Sequence, residues 1–277
     1  MAIMNLGQAF RHFFAGRADY PTLKKKEKRD SFSLTNDPFV VKGRAVHIPK
    51  MGWVRMHEAL RFPGKILAGT ISRTADRWFL SITVEMPDPP VLCPEHPRVV
   101  GVELGVYALA TLSTGEKIVG PKAYAATLKK LRRLSHQFSR QMEDAKVRSG
   151  LKPGEPVPKG MRIPWCKTMW KTQKRIARLH LRIANIRTDA LHQLTTDLVE
   201  RFDVIASEDL NVAGILKNHP LARRIADRGF GELRRQLEYK AAPRGKTVVV
   251  VNRWHPSSKI CSTCGSKVLK MLLLIRE

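Results

Sequence analysis

The sequence predicts a mixed α/β protein in two parts, a β-rich N-terminal region followed by an α/β domain that a long helical hairpin interrupts. Three observations carry this. Short β-branched and aromatic runs, punctuated by Gly and Pro, fill the chain up to about Pro90. Apolar residues then recur at three- and four-residue spacing from Leu128 to Leu198. Compact apolar runs around Val99–Leu104, Val204–Ala206 and Thr247–Val251 flank that helical stretch, as strands of one sheet would.

Taken in order, Leu6 to Phe14 reads as a helical piece, followed by the basic run Lys24, Lys25, Lys26, Lys28 and Arg29. The runs Leu34 to Val41, Ala45 to Ile48, Val54 to Met56, Ile66 to Arg73 and Trp78 to Glu85 read as strands, with Gly43, Pro49, Gly52, Pro63 and Gly64 between them. They predict a small antiparallel sheet or barrel. Asp88, Pro89, Pro90, Pro94 and Pro97 form a stiff linker. Beyond it, Arg98 to Val106 and Tyr107 to Leu112 are strands, and Ser113-Thr114-Gly115-Glu116 turns into a third over Lys117 to Val119.

The helical region carries Leu128, Leu131, Leu134, Phe138 and Met142 on one segment. Ile176, Leu179, Ile183, Ile186, Ala190, Leu194 and Leu198 follow on a second, with a Gly/Pro-rich loop from Gly150 to Pro164 between them. This is the pattern of an antiparallel helical hairpin. Lys171, Lys174, Arg175, Arg178 and Arg182 lie off the apolar stripe of the second helix, and few acids interleave with them. Asp203 to Ala206 is a strand, Leu221 to Lys240 a helix, and Thr247 to Val251 a strand.

Charge narrows the function classes. Fifty Lys and Arg stand against 24 Asp and Glu, a net charge of +26 over 277 residues. Solubility of a small domain asks for a magnitude of only about 2–8; a field this large attracts polyanions and holds phosphates. Nucleic acid is the expected partner, ahead of ribosome-like scaffolding or an anionic membrane. Lys24 to Arg29 and the Lys171 to Arg182 face are the expected phosphate contacts. No stretch approaches the roughly 20 apolar residues of a membrane span, and the N-terminus does not read as a signal peptide. Of four cysteines only Cys261 and Cys264 are close in sequence, so no disulfide framework is expected and a reducing cytoplasm fits best. Cys93 and Cys166 read as plain buried thiols.

Two acids stand at strand ends. Glu103 interrupts the apolar run Val99-Val100-Gly101-Val102-Glu103-Leu104, and Glu208 ends the run Val204-Ile205-Ala206. A carboxylate in a buried strand is costly unless paired or metal-bound. Phosphodiester cleavage by two metals needs several carboxylates around ions about 3.5–4 Å apart, and Mg²⁺ favours such hard oxygen ligands. With the order strand hairpin, helices, strand, helix, strand, the two acids fit an RNase H-like sheet.

At this point the motifs resemble a known family. Gly101-Val102-Glu103-Leu104-Gly105 followed by Leu109-Ala110-Thr111-Leu112-Ser113-Thr114-Gly115 is similar to the first RuvC motif of the transposon-encoded TnpB/OrfB proteins. Glu208-Asp209-Leu210-Asn211-Val212, with Lys217-Asn218-His219 and Leu237-Glu238-Tyr239-Lys240, is similar to the second. Trp254-His255-Pro256-Ser257-Ser258-Lys259, leading into Cys261-x-x-Cys264-Gly265, resembles the family's zinc-ribbon entrance. Upstream, Tyr20-Pro21, Lys24-Lys25-Lys26 and Thr74-Ala75-Asp76-Arg77-Trp78-Phe79 also match.

The resemblance implies an RNA-guided DNA endonuclease of insertion sequences, related to type V CRISPR effectors, which binds a guide RNA and cuts DNA with Mg²⁺ at a RuvC site. It implies a partial, β-barrel-like (WED-type) nucleic-acid-binding domain over residues 1–90. A RuvC, RNase H-like domain over 98–253 follows, with its helical insertion at about 122–201, and then a zinc-ribbon segment over 254–277. Glu103 and Glu208 would be the catalytic Mg²⁺ ligands, and Cys261 and Cys264 half of a four-ligand zinc site.

Three departures from the family set the expected activity. The first catalytic residue is Glu103 where the family has Asp, and a displacement of ~1 Å in an active site can cost about 10²-fold. The second cysteine pair and the last catalytic Asp have no counterpart, so the chain is expected to be truncated at both ends. Asp209 and Asp227 are nearby acids, but neither occupies the third motif. The expectation is a binder of guide RNA and DNA that does not cleave. The alternatives are a transposon remnant, or an active nuclease completed by a further carboxylate.

Overall fold

The computed structural model describes residues 2–22, 30–35, 39–87, 94–105, 107–215, 217 and 219–252. The chain divides into two compact units, Met1–Met86 and Pro87–Glu277. The basic run Lys24 to Arg29, Cys93 and the whole Cys261/Cys264 segment lie outside the described residues.

The first unit opens with α1 (Ala2–Phe14), which starts a turn earlier than its apolar pattern predicts. Its strands form two antiparallel sheets of three. One has the order β1 (Ser31–Thr35), β5 (Lys65–Thr74), β6 (Arg77–Glu85); the other has the order β2 (Val40–Lys42), β3 (Ala45–Ile48), β4 (Gly52–Arg55). Alternation makes the strands: on β6, Leu80, Ile82 and Val84 are half-buried while Ser81 and Thr83 are exposed. The run expected as one strand from Leu34 to Val41 is divided between β1 and β2, which belong to different sheets. Phe39, Val46, Ile48 and Ile71 form the buried centre, joined by Leu34, Val41, Met56, Ile66, Leu80 and Ile82. Gly69 lies under the Phe39 ring, where an added Cβ would sit 2.9 Å from Cζ.

The second unit is a five-stranded mixed sheet with helices packed on it. The order is β11 (Thr247–Val251), β10 (Val204–Glu208), β7 (Val99–Leu104), β8 (Ala110–Leu112), β9 (Lys117–Ile118). β11, β10 and β7 run parallel, whereas β7, β8 and β9 pair antiparallel. Parallel neighbours need a crossover, and here the crossover from the first three strands to β10 is the hairpin of α2 (Ala123–Arg148) and α3 (Lys167–Arg201). At 35 residues α3 is about 50 Å long. Its first half packs on α2 through Leu131, Leu134, Ile176 and Leu179. Its second half packs on the sheet, where Leu191, Leu194, Leu198 and Val199 meet Val100, Val102, Leu112 and Ile205.

After β10 come α4 (Val212–Ile215), α5 (His219–Arg228) and α6 (Phe230–Ala241). The single helix expected over Leu221 to Lys240 is therefore two. Gly229 breaks it with φ 70°, a left-handed conformation that glycine adopts without penalty. The break turns Phe230, Leu233 and Leu237 into the core beside α3. Within that core the Thr195 hydroxyl lies 3.0 Å from Gln236 Oε1, and Gln236 Nε2 donates to Glu232 Oε1 at 3.0 Å, so these buried polar groups are satisfied.

Candidate carboxylate site and cationic helix face

Glu103 and Glu208 are 105 positions apart in sequence and stand on adjacent parallel strands. β7 and β10 are in register with Val204 opposite Val99 and Ser207 opposite Val102. One further step sets Glu208 level with Glu103. Side chains alternate along each strand. Val100 and Val102 on β7, and Ile205 and Ser207 on β10, face the helices and are buried. Gly101 and Glu103, with Ala206 and Glu208, therefore share the opposite face.

This corrects one expectation. Glu103 is not a buried carboxylate in an apolar strand; it is exposed, and Val99 on the same face is 60% exposed. The run looks uniformly apolar in sequence because valine occupies both faces. Glu208 is half-buried. Its carboxyl is pushed up from the ordinary range, first by burial and then by the negative charge of Glu103. A pair of like charges so placed is relieved by a proton or a cation. Two carboxylates suit a hard divalent ion such as Mg²⁺ in ligand chemistry.

The neighbouring acids are occupied otherwise. Asp209 is ion-paired to Arg234 at 3.2 Å, and the same guanidinium holds Glu238 at 2.8 Å. Asp227 accepts from the Tyr124 backbone N–H at 3.2 Å and so caps the start of α2. Among the described residues no group of three or more His, Cys, Asp or Glu is arranged to hold a metal.

Arg228 ties the connection between β9 and α2 to the one between β7 and β8. It is 5% exposed and donates to the Gly120 carbonyl at 3.0 Å and the Tyr107 carbonyl at 3.1 Å. Burial lowers its pKa while the adjacent Asp227 opposes that shift. An apolar cleft of about 470 Å³ lies nearby, lined by Tyr124, His180, Ile183, Arg187, Ala226 and Asp227.

On α3, Lys171, Lys174, Arg175, Arg178 and Arg182 are all exposed, as expected from their place off the apolar stripe. Ile186, expected on that stripe, is 36% exposed, because α3 changes partner from α2 to the sheet along its length. Cys166 is a second correction: it is exposed at the N-cap of α3 and its Sγ lies 2.9 Å from Thr168 Oγ1. The loop before a helix start is solvated, which overrides the usual burial of cysteine.

Two groupings were missed in the sequence. Trp165 and Trp170 meet at a tilt, with ring centroids 4.7 Å apart and planes at 51°, and Phe138 lies edge-on to Trp165. Tryptophans five residues apart among lysines were the available signal. In the first unit, Lys42 lies 5.8 Å over the ring of Trp53, and His47 meets that ring edge-on at 5.4 Å. That grouping depends on strand register and has no signal in the sequence.

Residues 81–219 match the family model OrfB_IS605, described as "Probable transposase", and residues 230–277 match that of the Cas12f1-like TNB domain. The chain is 35% identical over 281 residues to a "Putative RNA-guided DNA endonuclease" of Streptomyces pristinaespiralis, covering 100% of this chain. It is 31% identical over 283 residues to the "Putative RNA-guided DNA endonuclease InsQ" of Escherichia coli K12, covering 95% of this chain. It spans 64% of the length of each of these relatives. In fold it is similar to the protein of a Cas12f1–sgRNA–target DNA complex solved by cryo-EM, with a TM-score of 0.57 and 12% identity over 95% of this chain and 63% of that one. No helix among the described residues is long and apolar enough to cross a membrane.

Proposed function

Because the chain belongs to the OrfB_IS605 family of transposase-type proteins, we propose that it binds a guide RNA and DNA in the cytoplasm and does not cleave. In this reading it is an insertion-sequence protein built on a RuvC-type, RNase H-like domain. The observation that carries the reading is the parallel pairing of β7 with β10, which sets Glu103 and Glu208 level on one open face of the sheet. The strand order, with three parallel strands extended by an antiparallel hairpin, supports the RNase H-like assignment. The antiparallel sheets of the first unit support a WED-type role, and the exposed cations of α3 support phosphate contact. Lys24 to Arg29 would add to that contact. Guide pairing would read sequence while the protein holds the backbone.

Glu103 and Glu208 are the residues that would hold Mg²⁺. Bound there, the ion would supply Lewis-acid activation of a phosphate and stabilise charge developing on its oxygens. The two acids would also bind water and position it against the open face. Two features support loss of cleavage. Glu103 carries one methylene more than the family's Asp, and the described residues bring no third acid to the pair. Cys261 and Cys264 would form a zinc half-site.

The test is a plasmid-cleavage assay with Mg²⁺ and co-expressed flanking RNA, run beside a binding assay over a salt series. Salt-dependent binding without cuts is the expected result. Specific cuts that vanish in Glu208→Ala would overturn the inactive reading and show that a further ligand completes the site.

A further inference from the structure

We propose that Trp170, propped on Trp165 and Phe138 where α3 starts against α2, is a stacking platform for unpaired RNA bases. Trp170 is 59% exposed. Leaving so large a ring in water forgoes the burial that normally makes tryptophan stabilising. The ring is nevertheless held in place. Trp165 is half-buried, meets Phe138 edge-on at 5.4 Å and 65°, and contacts Trp170 at 4.7 Å and 51°. Phe138 and Trp165 thus brace a flat apolar surface that faces solvent.

The surroundings of that surface select its occupant. Lys167 and Lys174 lie three residues before and four residues after Trp170, on the same side of α3. Trp170, Lys174, Arg178 and Arg182 follow one another at intervals of four, making one ridge of the helix. All of these side chains are exposed, and α3 has no acid before Asp189. Cations at this density call for a polyanion. A flat indole among them calls for one that also carries flat, apolar faces. Nucleic acid has both, because every base presents a π-face while the backbone stays within reach of the cations.

Within a duplex those faces are already stacked on one another, so the occupant is an unpaired base. RNA rather than DNA is the occupant because folded RNA offers splayed bases in loops, bulges and ends, which proteins take up on aromatic rings. The inference rests on the proposal that α3 tracks a nucleic-acid backbone.

The experiment uses the full chain, with Trp170→Ala and Trp170→Phe, against four labelled probes. These are a short oligouridylate, the same oligomer with central abasic positions, an RNA duplex, and oligothymidylate. Stacking on an aromatic side chain is worth enough for Trp170→Ala to weaken oligouridylate binding by about tenfold. Trp170→Phe should retain most of the affinity. The slope of log K against log salt should not move, because no phosphate contact is lost. The abasic oligomer and the duplex should be insensitive to the substitution. Trp170→Ala binding within about twofold of wild type, or wild type binding the abasic oligomer equally well, would overturn the platform. A clearly larger loss on Trp170→Ala for oligothymidylate than for oligouridylate would overturn the assignment to RNA. Wild-type protein that binds no oligonucleotide in a salt-dependent way would instead remove the nucleic-acid reading on which this rests. Unchanged circular dichroism of Trp170→Ala separates lost stacking from lost structure.

Discussion

Replacing Lys171, Lys174, Arg175, Arg178 and Arg182 together by glutamine removes the cationic face of α3 while keeping residues of similar helix propensity. These positions span eleven helical steps, about 16 Å at 1.5 Å per residue. A nucleic-acid strand lying alongside presents a phosphate about every 3.4 Å, so about five phosphates face five cations. Each neutralised phosphate of a single strand contributes about 0.7 to the slope of log K against log salt, so the variant should lose up to ~3.5 from that slope. Wild-type affinity should accordingly fall about a hundredfold more than the variant's between about 50 and 200 mM salt. Fluorescence anisotropy with a labelled oligonucleotide across a salt series measures both slopes. A variant slope within about one of the wild-type value would refute the assignment of this face to phosphate contact.

Three further outcomes follow from the second unit. Arg228→Met leaves the Gly120 and Tyr107 carbonyls without their donor. Gly120 is buried, so leaving its carbonyl unsatisfied costs about 1–3 kcal/mol, whereas Tyr107 is exposed and its carbonyl can turn to water. No longer burying a guanidinium offsets part of this, so a net loss of about 1–2 kcal/mol is expected. At about 2–4 °C per kcal/mol for a domain of this size, melting should fall by roughly 2–8 °C. Gly120→Ala should act through the same contact, since its Cβ would lie 2.8 Å from Arg228 Nη1 and 2.8 Å from Leu109 Cβ. The double variant should then be less than additive in thermal melts, and strict additivity would argue against a shared contact. At the carboxylate pair, the Glu208 pKa is raised in the folded state, so its contribution to stability is full below the unfolded value and is lost as pH rises through the folded one. Glu208→Gln should therefore melt above wild type at neutral pH in EDTA, with the gap closing on acidification and shrinking when Mg²⁺ is added. A variant that melts below wild type under the EDTA condition would contradict the like-charge reading.

How much was legible in the sequence depended on whether the relevant physics was local. The apolar runs at Thr247–Val251 and Ala45–Ile48 mark strands with those same bounds, because short β-branched segments between turns have few alternatives. The cationic face of α3 was legible because helical spacing alone fixes which positions share a side. The break at Gly229 was not, because a glycine within a helical pattern is tolerated in many helices; here the turn of Phe230 into the core beside Leu191 decides it. The exposure of Glu103 was not legible for a similar reason. Alternation cannot reveal an open face when Val99 and Val102 carry the same side chain to opposite sides. Trp53 and Lys42 come together only through the pairing of β2, β3 and β4.

The level placement of Glu103 and Glu208 is itself the work of residues far from them along the strands. Asp203 sits where β7, β10 and β11 begin. It accepts from the Arg98 backbone N–H at 3.0 Å and from Arg98 Nε at 3.1 Å, and Lys246 Nζ lies 3.3 Å from its carboxylate. The Arg98 hydrogen bonds hold its carboxyl far below the usual range, with Lys246 adding to the effect. Its own backbone N–H donates to Arg98 O at 2.8 Å, and its carbonyl accepts from Thr247 N at 3.0 Å. Lys246 also donates to the Phe202 carbonyl at 2.9 Å, closing the last turn of α3. One aspartate thus pins the three parallel strands and the end of the cationic helix at a single point. Register in a sheet has period two, so a slip of one residue in β10 would turn Glu208 toward the helices and bring Ser207 to the open face. The carboxylate pair therefore depends on the ionic clamp at the other end of the sheet as much as on the two glutamates.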